Sequence, residues 1–206
     1  FVLNLPIGEY DNPYNQQKGL STLPLSECGN ALVYGIAGSG KTTFLTTMLY
    51  SLVSQYSPDE VQAYVLDFAS ETLKAFEKAP HIGEVMLSDE KEKINRFFDY
   101  LLNEIKQRKK LFADFGGDFR SYLAEAETKV PNIVVAVNNY AAFIEQYEEL
   151  EEVVALITRE CTKYGIYFVM TVPNTNTIRY RMMQNFGQIF TMQLSDESEY
   201  ANVIGK

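Results

Sequence analysis

Gly35-Ile-Ala-Gly-Ser-Gly-Lys-Thr42 is the stretch that decides the fold. It fits G-x-x-x-x-G-K-[ST] at every fixed position, the pattern of a loop that cradles phosphates between a strand and a helix. With glycine at about 7% of residues, a chance match would occur in about one chain of this length in a hundred. The surroundings reduce that further. Ala31-Leu-Val-Tyr34 is a short apolar run before the loop, hence a buried strand. Beyond the loop, Phe44, Met48, Leu52 and Tyr56 recur every four residues, a helical spacing over Thr42 to Tyr56. Gly35, Gly38 and Gly40 let the backbone wrap closely around a phosphate without a Cβ in the way. Ile36, Ala37 and Ser39 complete the wall of N–H donors. Lys41 is expected to reach the β- and γ-oxygens of a triphosphate, the Thr42 hydroxyl to ligate Mg²⁺, and Thr43 is a candidate α-phosphate contact, against a plain helix residue.

Outward from the loop the chain alternates. Val61 to Leu66 reads as a strand ending in Asp67, and Glu71 to Lys78 as a short helix. Glu84 to Leu87 is extended. A long helix then opens with Ser88 as its N-cap and buries Ile94, Phe97, Phe98, Leu101, Leu102, Ile105 and Phe112. Gly116-Gly117 breaks it, and Phe119 to Ala126 adds a helical turn or two. Pro131 to Val137 is a β-branched strand, Glu149 to Tyr164 an amphipathic helix stopped by Gly165, and Ile166 to Met170 and Gln188 to Leu194 are the last strands. Strands alternating with helices predict a mainly parallel sheet covered on both faces. The expectation is a three-layer α/β domain of the RecA-like, additional-strand P-loop type over residues 1–206. Residues 1–29 form an extended lead-in and 30–206 the nucleotide-binding core.

A hydrolysing P-loop enzyme carries an acid pair at the end of another core strand, Asp to hold Mg²⁺ through water and Glu to activate the attacking water. The strand placed for this ends in Asn138-Asn139. An amide orients a water but accepts no proton from it, and general-base catalysis is worth roughly 10² to 10⁴ in rate. Nucleotide binding is therefore expected without efficient hydrolysis. Asp67 also ends a strand, but in the usual strand order that strand is the sheet edge, so a structural or inter-subunit role is expected for it. Thr171, Asn174 and Asn176 are candidate γ-phosphate sensors, against a plain strand-ending loop. Arg179 and Arg181 are candidate arginine fingers, against surface ion-pair donors.

At 206 residues the chain suits one domain, and 46% hydrophobic with 22% charged residues is ordinary for a globular protein. The formal charge of −9 disfavours DNA backbones. Lys106-Gln-Arg-Lys-Lys110 is the basic exception and reads as a solvated helix face. Cys28 and Cys161 lie far apart, with His81 the single histidine, which supports neither a disulfide scaffold nor a zinc site. No run of 18 apolar residues spans a membrane. The opening, Phe1 to Gly8, lacks a signal-peptide pattern and reads as a chain cut in mid-protein.

Further elements carry a resemblance. Pro6-Ile-Gly8, Asp11-Asn-Pro13, the phosphate loop with Thr43, Tyr64-Val-Leu-Asp-Phe68, Ala79-Pro-His-Ile-Gly83 and Arg108-Lys-Lys-Leu-Phe112 follow in this order. Together they resemble FtsK/SpoIIIE-type ATPase modules, and more narrowly the tandem modules of the EssC/EccC membrane ATPase of type VII secretion. The resemblance spans nearly the whole chain. It implies ATP and Mg²⁺ as ligands and a cytosolic module tethered to a membrane protein, beside neighbouring ATPase modules of the same chain. It also implies recognition of small helical-hairpin secretion substrates through their C-terminal signal, without nucleic acid. The Asn138-Asn139 departure places the chain among modules that bind ATP and hydrolyse it poorly, and the end after Gly205 suits the last module of an array. The contrasting expectation is an active DNA-translocating motor of the FtsK kind; a small-molecule kinase is a third, lacking an arginine-rich lid. The segment Ile178 to Phe186, with Tyr180, Met182, Met183 and Phe186, is a candidate groove for a partner helix, against ordinary core.

Overall fold

A computed structural model describes residues 2–12 and 17–195. Phe1, Pro13 and the segment ending after Gly205, each part of a sequence expectation above, lie outside the described residues. The chain opens with a hairpin, β1 (Asn4–Asn12) and β2 (Gln17–Pro24), and a single turn, α1 (Leu25–Cys28). Then come β3 (Ala31–Tyr34), α2 (Lys41–Gln55), β4 (Val61–Asp67), β5 (Ile82–Leu87), α3 (Lys91–Phe112) and α4 (Phe119–Glu125). The last part comprises β6 (Asn132–Asn138), α5 (Tyr140–Gln146), α6 (Glu151–Glu160), β7 (Ile166–Val172), α7 (Tyr180–Met183) and β8 (Gln188–Thr191).

Six strands form a parallel sheet in the order β5-β4-β6-β7-β3-β8. The strand β7 between the loop strand β3 and β6 is the additional strand of this class, so the expected three-layer α/β architecture is the one observed. Successive residues of a strand face opposite sides. Ile133, Val135 and Val137 therefore join one core with α3, α4, α5 and α6. Val134 and Ala136 join the other, with α2, Leu3 and the hairpin residues Leu5 and Leu23. Every residue of β6 and β7 is buried, as a strand with both faces covered requires.

The hairpin is fastened to α2. The Ser51 hydroxyl donates to the Pro6 carbonyl (2.6 Å) and the Tyr56 hydroxyl to the Asn4 carbonyl (2.9 Å). Pro6-Ile-Gly8 coincides with a register shift in the β1–β2 pairing. Gly83 has a steric reason: a Cβ there would collide with the Tyr64 ring. His81 is buried and donates from Nε2 to the Tyr56 carbonyl, a contact within the fold.

Several local expectations need correcting. Ser88 does not cap α3. The helix begins after Glu90, whose carboxylate accepts from the Leu87 N–H (2.8 Å), while the Ser88 carbonyl accepts from Gln146 and Tyr147. Glu71 to Lys78 shrinks to a 3₁₀ segment, Thr72–Phe76. Leu102 leaves the apolar stripe of α3 and is exposed, and Arg108 enters it. At 2% exposure Arg108 is no part of a solvated face. It pairs with Glu104 (2.8 Å), donates to the carbonyls of Tyr164 (2.8 Å) and Pro131 (2.7 Å), and lies over the Phe119 ring. Lys106, Lys109 and Lys110 are exposed. The helix α5 and the single turns α1 and α7 are not among the elements expected from the sequence. Among the described residues no helix is long and apolar enough to cross a membrane.

Candidate functional site

The loop between β3 and α2 takes the shape its glycines permit. Gly38 and Gly40 sit at φ +78° and +101°, where an L side chain is strained, and Gly40 is the residue that starts α2. A Cβ at Gly35 would collide with the Ser39 hydroxyl. The loop is pinned from behind, since the Gly35 N–H donates to the Val172 carbonyl (3.1 Å) and the Ile36 N–H to the Gln193 carbonyl (2.8 Å). Lys41 curls over the loop and donates to the carbonyls of Gly35 and Ile36 (2.8 Å to the latter). Partial burial there lowers its pKa below the ordinary lysine value, and an anion brought beside it opposes that shift.

A cleft of about 400 Å³ opens above the carboxyl ends of the strands. Ala37, Gly38, Gly40, Lys41, Thr42 and Thr43 form one wall, and Ala69, Asn138, Asn139 and Pro173 face them. Gly35, Ile36 and Ser39 lie outside this lining and support it. Ligands of parallel α/β sheets bind at this edge.

Asn138 is 1% exposed and its side chain joins three others. Its Nδ2 donates to Asp67 Oδ1 (3.0 Å) and to Thr42 Oγ1 (3.2 Å), and its Oδ1 accepts from the Thr171 hydroxyl (3.1 Å). The amide orientation is fixed from both ends. The Asp67 carboxyl accepts from backbone N–H groups on both oxygens, so it faces N–H₂. Thr171 already accepts from the Asn139 N–H (2.8 Å), so its proton goes to the Asn138 carbonyl. Asn139 sits at φ 66°, a left-handed conformation asparagine tolerates, and its side chain caps α5 by accepting from the Ala142 N–H (3.2 Å).

Asp67 belongs to this cluster, which corrects the expectation that it lies at the sheet edge. The edge is β5; β4 is internal and pairs Asp67 with Asn138. Thr171 is fully buried beneath the two asparagines, and the strand runs on through Val172 rather than ending at Thr171. The Asn174 side chain ties its own loop by accepting from the Asn176 N–H (3.0 Å) and the Thr177 hydroxyl (3.1 Å), and Asn176 is exposed. Arg179 is 75% exposed and pairs with Glu151 at 3.2 Å, the ion-pair arrangement. Ile178, Met182 and Phe186 are core residues and only Tyr180 is fully exposed, so the four aromatic and methionine side chains do not line one groove. Ala69 and Pro173 were not singled out in the sequence; both follow strand ends, where a parallel sheet places its ligands.

The residues fit a nucleotide. The loop offers backbone donors and an ammonium, and Thr42 Oγ1 accepts one hydrogen bond and keeps a second lone pair for a cation. At the strand end where hydrolysing P-loop enzymes carry acids, Asn138 and Asn139 present amides, whose oxygens accept hydrogen bonds from Thr171 and Ala142 and are not basic enough to take a proton.

A family model described as the FtsK/SpoIIIE family matches residues 5–206. The ESX secretion system protein EccC of Geobacillus thermodenitrificans is 30% identical over 202 residues, 98% of this chain and 14% of that protein. The solved EssC (ATPases 2 and 3) from the same organism superposes with a TM-score of 0.90 at 30% identity, covering 98% of this chain and 39% of that one. Thermomonospora curvata EccC (ATPases 2 and 3) in complex with a signal sequence peptide superposes at 0.88 with 27% identity, covering 96% and 37%. The chain thus spans about one seventh of the length of the curated relative.

Proposed function

The chain belongs to the FtsK/SpoIIIE family, and from that premise we propose that it is an ATP- and Mg²⁺-binding module of a type VII secretion motor that hydrolyses weakly or not at all. The observation that carries this reading is the use of Asn138 and Asn139. The first spends both ends of its amide on neighbouring side chains and the second caps α5. Neither can take a proton from an attacking water.

The phosphates are held by loop N–H groups at the start of α2, where the helix dipole favours anions. Lys41 exchanges its loop carbonyls for phosphate oxygens, a charge-assisted contact stronger than the neutral ones it leaves. Thr42 supplies the hydroxyl for Mg²⁺. Mg²⁺ bound there would offset the negative charge of the phosphates. Held without turnover, the nucleotide acts as a structural ligand, stabilising the fold by about 2.7 kcal/mol at a hundredfold excess over Kd.

The module then contributes to motor assembly beside neighbouring ATPase modules of its parent protein, at the cytoplasmic face of the membrane, and to recognition of small helical-hairpin substrates through their C-terminal signal. Support for the recognition role comes from the likeness to an EccC solved with a signal sequence peptide. The test has two arms on the purified chain. Phosphate release is expected at background with and without DNA, and turnover of several per second stimulated by DNA would identify a translocating motor instead. A titration with labelled signal peptides, with ATP and Mg²⁺ present, is expected to saturate; no saturation at high micromolar peptide removes the recognition role.

A further inference from the structure

We propose that Asp67 is the acidic positioning residue of the nucleotide site, and that through the Asn138 amide it sets the Mg²⁺-dependent part of nucleotide affinity. The inference rests on the nucleotide-binding reading above. β4 lies inside the sheet because β5 covers its edge, and the parallel register sets Asp67 directly across from Asn138. The carboxylate is 1% exposed. Its Oδ1 accepts from Asn138 Nδ2 (3.0 Å) and the Ala69 N–H (3.1 Å), and its Oδ2 from the Leu73 N–H (3.2 Å). Among the described residues no lysine, arginine or histidine forms an ion pair with it.

A buried carboxylate costs free energy that N–H donors offset only in part, and the full remedy is a positive charge. The amide that binds Asp67 uses its second N–H on Thr42 Oγ1 (3.2 Å), the hydroxyl placed to meet a cation. Two effects follow. Asp67, a pure acceptor, forces N–H₂ rather than C=O toward Thr42 and so fixes that hydroxyl. Its charge, in a region of low dielectric, favours a dication brought to the cleft. The acid missing from β6 is thus replaced from the neighbouring strand, through one amide. This arrangement serves binding, since Asp67 itself does not line the cleft.

Calorimetry of ATP with Mg²⁺ and with EDTA tests the proposal on the wild type, on Asp67→Asn and on the exchange Asp67→Asn with Asn138→Asp. In the wild type Mg²⁺ is expected to tighten ATP by about tenfold or more, equivalent to about 1.4 kcal/mol. Asp67→Asn should keep the EDTA affinity within about twofold and lose most of the Mg²⁺ gain. The exchange variant, which restores one acid and one amide across the same contact, should recover it. A role confined to the turn at Ala69 and Leu73 leaves the Mg²⁺ ratio unmoved in Asp67→Asn and is not rescued by the exchange; either result overturns the proposal. Should Asp67→Asn fail to fold, Asn138→Leu cuts the same link with the turn intact, and an unchanged Mg²⁺ ratio there is equally decisive. A wild type that binds no ATP with or without Mg²⁺ overturns the nucleotide-binding reading itself, and is recognised before any variant is made.

Discussion

Two buried asparagines mark the two edges of the central sheet. Asn30, just before β3, gives its Nδ2 to the carbonyls of Thr158 and Asn185 (both 3.0 Å), while its Oδ1 accepts from the Phe168 N–H (2.8 Å) and the Cys161 thiol (3.6 Å). The side chain of Asn138, at the end of β6, bonds to the side chains of Asp67, Thr42 and Thr171. Arg108 extends the first pattern, donating to the carbonyls just before β6 and β7. At the amino edge, then, Asn30 and Arg108 neutralise orphan backbone carbonyls. At the carboxyl edge, Asn138 ties side chain to side chain beneath the cleft. A buried amide bonded to main chain is fixed by the fold, whereas one bonded to side chains can be retuned by a single substitution. Cys161 shows how dry the closed edge is, its thiol pushed up to about 12 by burial.

The contrast fails if a change at one edge is felt equally at the other. Arg108→Met keeps the apolar stem of the side chain and strands the carbonyls of Tyr164 and Pro131. A loss of about 3 kcal/mol is expected as a lower urea midpoint. ATP affinity should stay within about twofold, and a fall matching the stability loss breaks the distinction. Lys41→Ala is the converse. ATP should weaken by tenfold or more, about 1.5–3 kcal/mol for a charge-assisted contact, with the nucleotide-free midpoint unchanged. Equal ATP affinity for both proteins dismisses the phosphate cradle. Lys109→Ala sharpens the first comparison, since this exposed neighbour of Arg108 should shift stability by less than about 0.5 kcal/mol.

What the sequence made legible was local. Gly35 to Thr42 is read from spacing alone, because glycine and lysine at those offsets have one dominant physical use. Ile94, Phe97, Phe98, Leu101, Ile105 and Phe112 declare the buried face of α3 by period. The role of Asp67 was illegible because it depends on strand order: an added edge strand, β5, moved β4 inward. Arg108 was hidden by its basic neighbours, since nothing nearby in the chain announces carbonyls 56 and 23 residues away. The helix α5 escaped because it is short and begins at a left-handed asparagine, a start that apolar periodicity does not reveal.

The grip of the hairpin on α2 has a mechanical consequence. The helix has 15 residues, and at about 1.5 Å of rise per residue it is a rod of roughly 22 Å. One end of the rod carries Lys41 and Thr42. The other, through Ser51 and Tyr56, is tied to Pro6 and Asn4. A tug on the first strand is therefore not lost in a slack linker: it arrives at the phosphate loop as a small displacement of a stiff body, which makes the beginning of the chain a handle on the cradle.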